Sequence, residues 1–237
     1  MLEITGAAKY YKKTAALNGL RLSLGNGEIV GLFGESGAGK TTLLKALTGL
    51  CGLNGGYVAL DGAPLAPESF ERLSFITSEG SFFPNMTPRD HGEFYGGMLQ
   101  RFKRDRFARL LEFFDLPEKK AHALSKGQRM KLEFAIGMSR GADYFLIDEP
   151  FFGIDALTRR DLMHLMIALL EPNESVLIAT HQISEIETFI TRLIVMKAGK
   201  IIADESIEAL SGLNENLFGY ISRVYEYDES RAMRFMA

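Results

Sequence analysis

Apolar and polar residues alternate along Leu20-Arg21-Leu22-Ser23-Leu24, and a period of two predicts a strand with one buried face. Gly25-Asn26-Gly27 follows as a turn and Glu28-Ile29-Val30-Gly31-Leu32-Phe33 resumes the apolar run, so this stretch is expected to be a hairpin feeding a buried strand. The period then changes. After Gly34 to Thr42, Leu43, Leu44, Leu47 and Leu50 recur at helical spacing, with Gly49 and Gly52 near the stop. Gly56-Tyr57-Val58-Ala59-Leu60-Asp61-Gly62 adds a short strand that ends in a turn.

Between about Phe82 and Arg140 the strand pattern disappears. Phe94, Leu99, Phe102, Phe107, Leu110, Leu111 and Phe114 are interleaved there with Arg, Lys and Glu at spacings that predict amphipathic helices. Short apolar runs return at Tyr144 to Ile147, Ser175 to Ala179 and Leu193 to Met196, the last before a turn at Ala198-Gly199. Such runs alternating with helices predict an α/β fold with a mostly parallel sheet covered on both faces. The expected organisation is one domain over 1–237, with a core formed by 1–81 and 141–237 and a helical insert at 82–140.

Composition narrows the function. A chain of 237 residues with 46% apolar and 24% charged residues is expected to fold, as one large domain or two small ones. Its 27 Lys and Arg against 30 Asp and Glu leave a net charge of −3, so there is no global positive field and nucleic acid is not an expected partner. The basic cluster Arg101, Lys103, Arg104, Arg106 and Arg109 is interrupted by Asp105 and followed by Glu112 and Asp115, which reads as a solvated helix face. Cys51 is the single cysteine, so neither an internal disulfide nor a Cys-rich zinc site is expected, and a reducing, cytosolic setting fits. The N-terminus lacks the apolar core of a signal peptide, and 1–237 is expected to be mature. The most apolar stretch, Leu162 to Leu170, is about half the roughly 20 residues of a membrane-spanning helix, so the chain itself is not expected to cross a membrane. His91, His122 and His164 lack metal-ligand spacing and read as structural, and the ten methionines read as core filling.

Three segments carry chemistry. Gly34-Glu35-Ser36-Gly37-Ala38-Gly39-Lys40-Thr41 fits G-x-x-x-x-G-K-[ST] in a strand, loop, helix context, with Thr42 next. Glycines let the backbone curl so that amides point at phosphate oxygens, the helix N-terminus adds its dipole, Lys40 is suited to β- and γ-phosphates and Thr41 to Mg²⁺. Tyr144-Phe145-Leu146-Ile147-Asp148-Glu149-Pro150 ends a strand in two carboxylates at the sheet edge where doubly wound folds bind ligands. Asp148 is expected at Mg²⁺ and Glu149 as the group that accepts a proton from, or orients, the attacking water. Leu124-Ser125-Lys126-Gly127-Gln128 precedes a helical run to Arg140 with Met130, Phe134 and Met138 on one face, and Ser125 is its expected N-cap.

GESGAGKTT, LSKGQ, YFLIDEP and the histidine of VLIATHQ, His181, stand in the order and rough spacing of the ATP-binding cassette ATPases, and the resemblance covers essentially the whole chain. It implies a phosphate-loop core with an N-terminal antiparallel β-subdomain and a helical signature subdomain. It also implies a cytosolic ATPase subunit of the drug- or antibiotic-exporter type, peripheral on the inner face of the membrane, with ATP and Mg²⁺ as cofactors. Its partners would be separate membrane-spanning subunits, docked about Phe82, Phe83 and the 85–100 stretch, and a second cassette subunit, the same or different. By the resemblance Ser125, Gly127 and Gln128 contact the γ-phosphate of ATP held by the opposite subunit, and His181 contacts the γ-phosphate beside Glu149. Tyr10 would stack on adenine ahead of Tyr11, and Asp155 would couple the two sites. The family's glutamine at the entry to the helical insert is replaced by Ser78, with Glu79 next, and serine lacks the amide's reach. Lys126 stands where glycine is usual, and Phe151-Phe152 replace small or polar residues. The absence of a long C-terminal extension favours the exporter type. The alternatives are a regulatory cassette that scarcely hydrolyses ATP, for which Ser78 is the support, and a soluble cassette that does not serve transport.

Overall fold

Strands that are apolar on both faces need cover on both, and this requirement organises the chain. The computed structural model describes residues 1–77, 80, 82–150, 156–212 and 216–226. In chain order the elements are β1 (Leu2–Tyr11), β2 (Thr14–Leu24), β3 (Ile29–Phe33), α1 (Lys40–Leu47), β4 (Gly55–Leu60), β5 (Ala63–Pro64) and β6 (Leu73–Thr77). Three helices follow, α2 (Pro88–Met98), α3 (Arg104–Phe113) and α4 (Lys126–Ser139). The chain then runs through β7 (Tyr144–Asp148), α5 (Ala156–Leu169), β8 (Ser175–Thr180), β9 (Arg192–Lys197), β10 (Lys200–Ser206), α6 (Ile207–Ser211) and α7 (Leu217–Val224).

The main sheet has the order β10-β9-β3-β8-β7-β6, parallel except for the antiparallel edge pair β9 and β10. A smaller antiparallel sheet has the order β2-β1-β4-β5. The sequence expectation of an α/β fold with a parallel sheet covered on both faces holds. Alternate residues of β7 show how: Phe145 and Ile147 pack with the helices of the 82–140 region, while Tyr144 and Leu146 pack with α1 and the antiparallel sheet. In β8, Val176 and Ile178 divide from Leu177 and Ala179 in the same way. A strand buried on both faces has no polar positions to alternate with, so it reads as a continuous apolar run.

The expected hairpin between residues 20–24 and 28–33 does not form. β2 pairs with β1 in the small sheet, whereas β3 enters the main sheet between β8 and β9. Val30, Gly31 and Leu32 are buried, and only a place between two strands satisfies their backbone on both sides. Gly27 makes the crossing: its φ is 75°, its N–H donates to Ser175 Oγ at 2.8 Å, and a Cβ would lie 2.7 Å from the Pro172 carbonyl. β1 itself, with Leu2, Ile4 and Ala7 buried inside the small sheet, alternates only over Leu2-Glu3-Ile4-Thr5 before Gly6 interrupts the period.

The basic cluster is also corrected. Arg101 pairs with Asp143, Lys103 with Glu171 and Glu174, and Arg106 is 4% exposed with both terminal nitrogens on Glu174. Only part of the cluster is therefore a solvated face, because α3 lies against the turn before β8 and presents Arg106 to it.

Candidate functional site

The loop between β3 and α1 is shaped by its glycines. Gly37 and Gly39 have φ of 85° and 106°, and Gly39 leads directly into α1. A Cβ at Gly39 would lie 2.3 Å from the Ala16 carbonyl oxygen, so β2 and this loop can approach only if residue 39 has no side chain. Gly39→Ala is accordingly expected to destabilise the protein by about 1–3 kcal/mol for its φ alone, read as the urea midpoint, with a larger loss from the carbonyl contact. An unchanged midpoint would contradict this account of the loop.

Lys40 opens α1 and folds back over the loop. Its Nζ donates to the carbonyls of Gly34 at 2.6 Å and Glu35 at 3.3 Å and lies 3.8 Å from Glu149 Oε1. Burial pulls the Lys40 ammonium below the usual lysine range, against the opposing pull of Glu149 and Asp148.

Thr41 Oγ1 donates to Asp148 Oδ2 at 2.7 Å. Burial pushes the Asp148 carboxyl above the usual range, partly offset by that bond. Its other oxygen, Oδ1, is buried with no hydrogen-bond partner among the described residues. A buried carboxylate oxygen without a partner beside a hydroxyl suits a hard cation, and Mg²⁺ characteristically takes one or two protein oxygens and completes its shell with phosphate and water. The residues present therefore fit Mg²⁺, with Thr41 and Asp148 as the protein side of the site.

Glu149 sits in the left-handed region, φ 48°, its N–H donating to the Ala179 carbonyl at 2.9 Å. This sharp exit from β7 turns the carboxylate toward the end of β8, where Oε1 lies 2.9 Å from His181 Nδ1. On the other side of the ring, Gln182 Nε2 is 3.2 Å from His181 Nε2. A carboxylate oxygen can only accept, so the His181 Nδ1–H donates to Glu149. Loop residues 35–42, Asp148, Glu149, His181 and Thr14–Ala16 of β2 together line one open cavity of about 650 Å³.

Lys126, Gly127 and Gln128 open α4 behind Ser125, whose Oγ accepts from the Gln128 N–H at 3.2 Å while Gln128 Oε1 accepts from the Ser125 N–H at 2.9 Å. The expected N-cap is present, and its reciprocal bonds make it a capping box. Ser125 and Lys126 are exposed and do not line the cavity. Tyr10 is half-exposed and faces Ala15 across the β1–β2 ladder, while the Tyr11 hydroxyl lies 3.5 Å from Cys51 Sγ and faces Thr42. The histidines read as structural bind backbone or pack: His91 joins the Phe83 amide and the Thr87 carbonyl, His122 the Pro84 carbonyl, and His164 meets Phe189 edge-on. Ser78, Glu79, Phe151, Phe152 and Asp155 lie outside the described residues. Two participants escaped sequence reasoning. Gln182 stands next to a named histidine, which is a signal, but Tyr225, whose hydroxyl reaches the loop, has none.

The model of the ABC transporter family matches residues 17–152. The Nod factor export ATP-binding protein I of Burkholderia orbicola is 33% identical over 88% of this chain and 72% of its own. The Fe(3+) ions import ATP-binding protein FbpC of Mesorhizobium japonicum is 30% identical over 84% of this chain and 58% of its own. Among solved structures, the ATP-binding cassette MJ0796, a dimer in a post-hydrolysis state bound to ADP and Pi, superposes with a TM-score of 0.76 at 23% identity, over 87% of this chain and 99% of that one.

Proposed function

The chain belongs to the ABC transporter family as an ATP-binding cassette, and on that premise we propose that it binds Mg·ATP in the cavity around the β3–α1 loop, dimerises on it and hydrolyses it to drive separate membrane-spanning subunits. The observation that carries the reading is the convergence of Lys40, the Thr41–Asp148 pair and the Glu149–His181 pair on one glycine-shaped loop. The amides of 35–42 and Lys40 bind the phosphates. Thr41 and Asp148 hold Mg²⁺, which when bound neutralises developing phosphate charge. Glu149 accepts the proton of the attacking water, and His181 holds that carboxylate in place and faces the γ-phosphate. Tyr10 stacks on adenine, a role supported by its ladder partner Ala15 lining the cavity.

A complete site takes Ser125, Gly127 and Gln128 from a second cassette, the same or a different chain. Ser125 is exposed and none of the three lines this chain's own cavity, which supports that reading, as does the dimeric state of the structurally similar cassette. Asp155 couples the two sites, and Ser78 with Glu79 stands at the entry to the helical insert, read as 82–140. Phe83 and Phe94 are exposed and pack edge-to-face at 4.8 Å on that insert, which supports a membrane-spanning partner docking there. We place the translocation path in the partner and this subunit peripherally on the cytoplasmic face, as membership of the transporter family suggests; among the described residues no helix is long and apolar enough to cross a membrane. We take the direction as export, following the relative of higher identity.

Lys40→Met tests the site. Removing one partner of a buried, hydrogen-bonded charge pair costs 2–5 kcal/mol, so Mg·ATP affinity is expected to fall by about 30-fold or more in isothermal titration. Equal affinity in variant and parent would place the nucleotide elsewhere.

A further inference from the structure

The last described helix reaches the phosphate loop from behind. Asn216 caps α7, its Oδ1 accepting from the Gly219 N–H at 2.8 Å, and Tyr220 and Ile221 anchor the helix in the core. Tyr225 follows α7 and is 8% exposed. Its ring meets Phe33, the last residue of β3, edge-on with centroids 5.9 Å apart. Its hydroxyl accepts the Glu35 N–H at 3.1 Å and donates to the Met196 carbonyl near the end of β9. Lys197 Nζ donates to the Tyr225 carbonyl at 2.8 Å and lies 5.3 Å from the centre of the ring.

We propose that Tyr225 is a positioning residue for the nucleotide: by holding the Glu35 amide it fixes the start of the phosphate loop, so that α7 sets the loop's affinity for phosphate. The inference rests on the reading of that loop as a nucleoside triphosphate site. The Gly34–Glu35 peptide is held from two sides. Lys40 binds the Gly34 and Glu35 carbonyls from the cavity side, and Tyr225 binds the Glu35 amide from the other. An ammonium that turns toward a phosphate gives up bonds to those carbonyls, and the tyrosine bond then restrains the peptide. The hydroxyl is well suited to this. Its proton is committed to Met196, which leaves its lone pairs for the amide, and burial pushes its pKa above the usual tyrosine value, so it stays a neutral phenol. Met196 also closes the other side of the turn, since a Cβ at Gly34 would lie 2.8 Å from the same carbonyl oxygen. Three chain segments distant in sequence thus meet at the first residue of the loop.

Tyr225→Phe keeps the ring against Phe33 and removes only the hydroxyl. An amide left without its acceptor lets the loop open in the free protein, so KM for Mg·ATP is expected to rise about 5- to 20-fold with kcat within about 3-fold of the parent. Glu35 amide exchange, read by NMR on the full chain, is expected to speed up about tenfold in the same variant. A lowered unfolding midpoint with unchanged KM would make the contact merely structural and overturn the proposal, as would a fall in kcat at constant KM. Should the variant not fold, the parent alone decides: slow Glu35 exchange supports the tether, and exchange as fast as in an exposed turn refutes it. If the parent itself fails to bind Mg·ATP, the reading of the loop falls instead, and the exchange measurement still reports on the tether.

Discussion

Glu149→Gln is expected to lower phosphate release by about 10²–10⁴-fold while Mg·ATP still binds. That is the range assigned to a positioned general base. Glutamine matches glutamate in shape and can take the same left-handed backbone, φ 48°, and its carbonyl can accept the His181 Nδ1–H that now bonds Oε1 at 2.9 Å. What disappears is the negative charge and the ability to take a proton. Loss of that charge also removes repulsion against the terminal phosphate, so ATP should persist between two cassettes that close on it. In light scattering the variant is expected to shift from monomer to dimer only when Mg·ATP is added. Parental rates of phosphate release would end the assignment of Glu149. ATP binding without a mass shift would show that Ser125 to Gln128 do not complete a second copy's site, and a different cassette would have to supply it.

What could be read from sequence divides by distance along the chain. The phosphate loop, the Asp-Glu strand end and the Ser125 cap each depend on residues within a few positions of one another, where glycine spacing, an apolar run or a four-residue capping box expresses the geometry directly. Pairings that join distant segments left no such trace. β2 and β3 are separated by a turn sequence that suits a hairpin, yet the burial of β3 on both faces sends it into a different sheet. Arg106 looked like its solvated neighbours because its partner Glu174 lies 68 positions away. Tyr225 is 190 positions from the amide that it holds. The side chains of the candidate site are therefore legible, whereas the contacts that keep them in place were visible only after folding.

Arg106 carries a large expected effect on stability of a different origin, because it joins the helical region to the core through a buried charge. Both members of the Arg106–Glu174 pair are about 5% exposed or less, with bonds of 2.9 and 3.1 Å, and Arg106 also donates to the Met138 carbonyl at 3.0 Å, near the end of α4. Removing one partner of a buried pair leaves a charge without compensation, at a cost of 3–5 kcal/mol. Glu174 retains Lys103 at 2.7 Å and the Glu171 N–H at 2.9 Å, which places Arg106→Leu near the lower end, about 3 kcal/mol. Urea unfolding of the full chain measures it, and a loss below about 1 kcal/mol would refute the clamp. The double variant Arg106→Leu with Glu174→Leu discriminates the cause. Two apolar side chains leave no stranded charge, so most of the lost stability is expected to return. The function should follow the geometry as well. Arg106 steadies α4, whose N-terminus carries Ser125, but it does not line the cavity. Arg106→Leu is therefore expected to weaken ATP-driven dimerisation while the monomer's own affinity for Mg·ATP stays near that of the parent. Equal weakening of both would mean that the helical region and the phosphate loop are coupled more tightly than these contacts imply.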